Sequence, residues 1–173
     1  MFVKKILIAA ALLVGCCAAQ TATSTVPEPD TIGVYFYLDS ASRTLKRLPK
    51  EDWKRHRGAG LVSYTDSIKV AGPGSSFHIP AGEKPTFVVS VFKSEDAAEI
   101  KLFLFTVKGQ EREYQLAKAK GRDVTHNEGV AVNITKFGAS SLAVIPESPL
   151  EPGEYALPWG SSVFTFSVTA SGK

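Results

Sequence analysis

Apolar and polar residues alternate with a period close to two over most of the chain beyond Ile32. Val34-Tyr35-Phe36-Tyr37-Leu38 is β-branched and aromatic and stops at Asp39-Ser40, the composition of a strand and its turn. Phe77 and Ile79 flank His78 before Pro80-Ala81-Gly82, and Phe87, Val89 and Val91 share one face of Thr86 to Phe92. Tyr114 and Leu116 alternate with Glu113, Gln115 and Ala117; Val130, Val132 and Ile134 alternate with Ala131, Asn133 and Thr135. Leu142 to Ile145 follows, and Phe164, Phe166 and Val168 alternate with Thr165, Ser167 and Thr169. Ile100 to Val107 is apolar on both faces, which predicts a central strand covered on two sides. Pro49 to Arg57 is the best helical candidate, with proline at a first helical position and Gly58 as a stop, and predicts one or two turns. Eight to ten short antiparallel strands with Gly, Pro, Asn and Asp between them predict an all-β domain, a sandwich or barrel, over residues 32–170.

The N-terminus breaks this pattern. Lys4 and Lys5 precede an unbroken apolar run from Ile6 to Val14, with small residues after it. Such a run is far shorter than the roughly 20 residues a bilayer span needs. Behind a basic start it is a secretion leader. Residues 17–31 are small, polar and proline-containing, the composition of a tether. Fully extended, such a segment reaches about 50 Å.

Composition narrows the function. Of 20 Lys and Arg, two lie in the leader, so 18 remain against 17 Asp and Glu. The exported part is nearly neutral, which argues against nucleic acid as a partner. Both cysteines, Cys16 and Cys17, sit at the end of the leader, so burial alone must stabilise the domain.

Candidate chemistry is sparse. His78 points away from the core by alternation. Asp123, His126 and Glu128 share the segment Arg122 to Gly129, and carboxylate with imidazole suits several divalent metals. No second His or Cys lies nearby to complete a zinc site, so these three are weak candidates and no metal or cofactor is expected. No Gly-x-Ser-x-Gly elbow and no Gly-Lys-Ser/Thr phosphate loop occurs, and Ala71 to Ser76 reads as a turn. A non-enzymatic role is expected. The alternative is a small envelope hydrolase with a carboxylate pair drawn from distant strands. Arg43 to Arg57 holds seven basic residues around Trp53. It suits phospholipid headgroups or an anionic glycan, or is a solvated face with Trp53 against the sheet.

Two short stretches carry resemblances. Leu13-Val14-Gly15-Cys16 resembles the bacterial lipobox, which implies cleavage before Cys16, a diacylglycerol on its sulfur and a membrane-anchored domain facing the periplasm or cell surface. Ordinary signal cleavage after Cys17-Ala18-Ala19 is the alternative. Leu150-Glu151-Pro152-Gly153-Glu154-Tyr155 resembles the tyrosine corner of fibronectin type III and immunoglobulin-like sandwiches. That likeness implies an immunoglobulin-like sandwich, with Leu150, Pro152, Gly153 and Tyr155 forming the corner. The chain as a whole resembles uncharacterised exported envelope proteins of environmental bacteria, a likeness that implies no activity. The sequence thus predicts a signal peptide over 1–16, a tether over 17–31 and one domain that binds or supports an envelope protein or glycan.

Overall fold

The computed structural model describes residues 26–61, 63–92 and 97–170. Among them the chain is all-β, with thirteen strands, one 3-10 turn at Ala97–Glu99 and no α-helix. β1 (Tyr35–Asp39) lies between β2 (Thr44–Arg47) and β6 (Thr86–Ser90), and β11 (Ser141–Pro146) and β10 (Val132–Lys136) continue the sheet beyond β6. This five-stranded layer is antiparallel throughout.

The second sheet closes on itself. β12 (Gly153–Trp159), β7 (Phe103–Lys108), β8 (Glu111–Lys120), β4 (Ser63–Ala71), β3 (Lys50–Ala59) and β13 (Ser162–Thr169) pair in that order. β13 then pairs back to β12 from Gly153↔Val168 to Trp159↔Ser162, completing a six-strand barrel. β5 (His78–Pro80) runs parallel beside β13, and β9 (Asp123–His126) lies antiparallel beside β8. The β4–β8 ladder shifts register between Asp66 and Ser67, and such a bulge adds the local twist that closure needs.

β12 and β13 are the wall between two interiors. Phe164, Phe166 and Val168 of β13 face the five-stranded layer, joining Tyr35, Phe87, Val89, Val144 and Leu157. Val163 faces the barrel with Ile68, Val70, Phe103, Phe105, Tyr114 and Ala156. Every β13 residue from Ser162 to Val168 is buried. Rings interlock across the first interior: Phe87 and Phe166 lie 4.7 Å apart, and Tyr155 stacks on Phe166 at 5.3 Å. Burying each such ring stabilises the fold by about 1.5–3 kcal/mol.

The all-β expectation holds, and closure of six strands into a barrel is the feature alternation did not show. Two local expectations fail. Pro49 to Arg57 is strand, not helix, because Lys50, Glu51 and Asp52 pair with β13 and Trp53 to Ala59 pair with β4. Ladder bonds and burial of Trp53 against the barrel core outweigh a weak helical preference. Ile100 to Val107 is not covered on both faces either: Leu104 and Val107 stand about half exposed. β13 is buried on both faces, although its Thr and Ser look like a solvated face in the sequence.

Candidate functional site

One end of the barrel holds a polar centre. Arg112 of β8 is fully buried. Its Nη2 donates to Glu51 Oε2 at 2.5 Å and to the Ala71 carbonyl at 2.9 Å, and its Nε donates to the Gly72 carbonyl at 3.0 Å. The Thr165 hydroxyl donates to the other Glu51 oxygen at 2.5 Å. Glu154, two residues into β12, accepts from the Ser167 hydroxyl at 2.6 Å and the Ser75 N–H at 2.8 Å. Arg112 Nη1 has no hydrogen-bond partner among the described residues, and Glu154 Oε2 lies 3.9 Å from it. Glu51 and Glu154 keep 26% and 14% of their side chains exposed, so partial hydration offsets two carboxylates facing one guanidinium. The turn over residues 71–76 is folded onto this centre by Arg112 and Glu154.

This is the one place where distant strands bring two glutamates beside one arginine. All four carboxylate oxygens are already engaged within the protein. The arrangement is a structural clamp between β3, β8, β12, β13 and the 71–76 turn. Sequence reasoning missed it, although Glu51, Arg112 and Thr165 stand in phase with barrel-facing apolar residues on their strands.

The nominated residues fall in three groups. Cys16 lies outside the described residues. Asp123 and His126 sit at opposite ends of β9, while Glu128 beyond it lies 3.5 Å from Lys101. All three are exposed, and no group of three His, Cys, Asp or Glu able to hold a metal occurs among the described residues. The corner residues do meet. Leu150 is buried, and the buried Tyr155 ring donates its hydroxyl to the Glu151 carbonyl at 2.8 Å. Burial pushes this phenol pKa up. Pro152 is exposed at the bend before β12. Gly153 does not hold a positive φ. Its smallness serves packing, since a Cβ there would stand 2.9 Å from Leu104 Cδ1.

The basic segment Arg43 to Arg57 divides between the two sheets. Lys46 pairs with Asp39 in the five-stranded layer. Arg55 grips Asp66 on the barrel, donating from Nε at 2.8 Å, and this bond holds the Asp66 pKa down. Trp53 is partly buried and packs against the barrel core.

A cavity of about 340 Å³ opens beside the five-stranded layer, lined by Val91, Ile100, Leu142, Pro158 and Trp159, with Glu99 the one titratable side chain among the described residues that line it. Trp159 is fixed there: its ring edge meets Tyr35 at 6.2 Å, and its indole covers Gly33, where any Cβ would collide. Glycine is required at that position twice over, because its φ is +71°.

Nearby, residues from the expected tether are docked. The Glu28 carboxylate accepts from the Ala139 N–H at 2.6 Å, the Ser140 N–H at 3.1 Å and the Ser141 hydroxyl. These bonds hold its pKa down to about 2, the Ser141 bond contributing most. Ser90 donates to the Pro29 carbonyl, and Gly33 N–H donates to the Ser90 carbonyl at 2.9 Å.

No family model, curated protein or solved structure matches this chain.

Proposed function

We propose that this is an exported, lipid-anchored envelope module that binds rather than catalyses, with the cavity beside Trp159 as its ligand site. The observation that carries this reading is the cavity's lining: aromatic and aliphatic walls, with Leu142, Pro158 and Trp159 held on strands, and one carboxylate among the described lining residues. That pattern suits capture of a compact ligand with an apolar face. Hydrolysis by paired carboxylates needs two of them free at the cleft. The barrel's two glutamates are consumed by Arg112, Thr165, Ser167 and Ser75, which weighs against the small envelope hydrolase.

The leader and Cys16 supply the placement, with a diacylglycerol on the cysteine facing the domain to the periplasm or cell surface. An immunoglobulin-like origin for the sandwich half is supported by the buried Leu150 and the Tyr155 hydroxyl bond at the 150–155 corner. Edge binding by strand addition is the second reading: the outer strands β2, β5, β9 and β10 are five residues or shorter, which leaves the unpaired side of β3 from Trp53 to Ala59 as its longest edge.

Two measurements test the reading. Labelled palmitate should enter the wild-type protein and not Cys16→Ser; absence of label from the wild type removes the anchor. With Trp53→Phe leaving Trp159 as the sole tryptophan, anilinonaphthalene sulfonate should quench its emission. Leu142→Trp, which fills the cavity, should abolish dye binding; a dye indifferent to that change removes the ligand site.

A further inference from the structure

We propose that the end of the barrel where β3 turns into β4 and β8 turns into β9 is a second membrane contact, one that reads anionic phospholipid. The inference rests on the reading that places this protein at a membrane, and it adds a surface no leader motif implies.

Strand registers bring the two hairpin tips together. Ala59 faces Tyr64 across the first turn, Ser63 faces Lys120 across β4 and β8, and Lys120 faces Asp123 across the second turn. At the first tip the Gly60 N–H donates to the Ser63 carbonyl at 2.7 Å. Leu61 at its apex is completely exposed and adds nothing to either core. Val124 on the neighbouring hairpin is 58% exposed. An aliphatic side chain held at a hairpin apex gains free energy only by leaving water against something else.

The charges around these apolar residues indicate what that is. Lys118, Lys120 and Arg122 are exposed and form no ion pair among the described residues. Arg57 is 59% exposed at the same end and reaches Asp66 only at 3.8 Å. Asp66 is itself buried and taken by Arg55. Asp123 is the one unpaired carboxylate on the two turns. Cations at the same end of these strands, behind an aliphatic apex, match the order of layers in an anionic leaflet. Leu61 enters the acyl boundary while lysine and arginine stay level with the phosphates.

The test uses the full chain with Cys16→Ser in every protein, so the acyl anchor contributes nothing and the leader contributes equally throughout. Sedimentation with phosphatidylcholine vesicles, with and without phosphatidylglycerol, at low salt reads the surface. The parent should prefer phosphatidylglycerol vesicles, and the preference should fade as salt shortens the screening length to about 8 Å. Lys118→Glu, Lys120→Glu and Arg122→Glu combined should weaken that binding about a hundredfold, and Leu61→Asp alone roughly tenfold. Arg43→Glu with Arg47→Glu, on and beside β2, should stay within about twofold of the parent. Near-ultraviolet circular dichroism matching the parent shows that each variant is folded. A triple variant that binds as well as the parent overturns the proposal. So does a loss on charge reversal with Leu61→Asp unaffected, which would indicate an anionic polymer such as a glycan. Failure of palmitate labelling would leave this result standing, and the reverse also holds.

Discussion

The two interiors on either side of the β13 wall solve burial differently. Toward the five-stranded layer, β13 offers Phe164, Phe166 and Val168, which meet Tyr35, Phe87 and Leu157 in a ring-on-ring core. Toward the barrel, the same strand offers Val163, then Thr165 and Ser167, which hydrogen-bond Glu51 and Glu154. The two buried charged residues among those described, Asp66 and Arg112, both belong to the barrel. Apolar packing is tolerant: similar volumes substitute with modest cost. A buried ionic centre is not, because one missing partner leaves an unsatisfied charge. The sandwich half therefore supplies most of the burial, while the barrel's polar centre selects one closure: Glu51, Arg112 and Thr165 meet only if β3, β8 and β13 hold this register.

Removing the guanidinium is the largest test of that contrast. Arg112→Met should destabilise the domain by about 3–5 kcal/mol, since two carboxylates lose their common partner. Combining it with Glu51→Gln and Glu154→Gln should recover much of the loss, measured by urea denaturation. If Arg112→Met alone is tolerated like an ordinary volume-conserving core swap, the barrel centre is packing and not a charge clamp.

Tyr155→Phe probes the sandwich side at a smaller scale. The ring stays stacked on Phe166 and only the bond to the Glu151 carbonyl is lost, so the cost should be about 0.5–1.5 kcal/mol. The denaturant slope should not change, because unfolding exposes the same surface. A variant as stable as the parent would show that Leu150 and the ring hold the corner without the hydroxyl.

The smallest expected effect concerns the docked segment. Glu28 has its pKa lowered from 4.5 to about 2, so its docking is complete above the undocked value and is lost as pH falls through about 2. Amide NMR signals of Ala139 and Ser140 should hold steady down to mildly acidic pH and then move together across that window. Glu28→Gln should remove the titration while leaving both cores intact. Movement centred near an ordinary glutamate pKa would mean that the clasp does not hold the carboxylate in solution.

Some of this was legible in the residues. Strand positions such as Val34 to Leu38, Thr86 to Ser90 and Phe164 to Val168 follow from period-two alternation and β-branched or aromatic content. The 150–155 stretch stood out through its likeness to a tyrosine corner, and there the Tyr155 hydroxyl donates to the Glu151 carbonyl. Alternation failed at Thr165 and Ser167, whose polar face signals solvent in any one-strand reading and in fact faces the barrel interior. It failed also at Lys50 to Arg57, where basic residues on a barrel wall imitate an exposed helix.

The sequence by itself determined the leader-like start, the reliance on burial without disulfides, the all-β character and the positions of most turns, since each is a local or compositional property. Tertiary structure alone decided that β12 and β13 close a barrel while walling off the five-stranded layer, because pairing partners such as Lys50 and Phe164 lie more than a hundred positions apart. It alone also brought Glu51, Arg112 and Glu154 into one clamp, seated Glu28 on residues 139–141, and set Leu61 beside Lys118, Lys120 and Arg122. Charges and hydroxyls have no periodicity that names their partners, so only the register of the strands between them does.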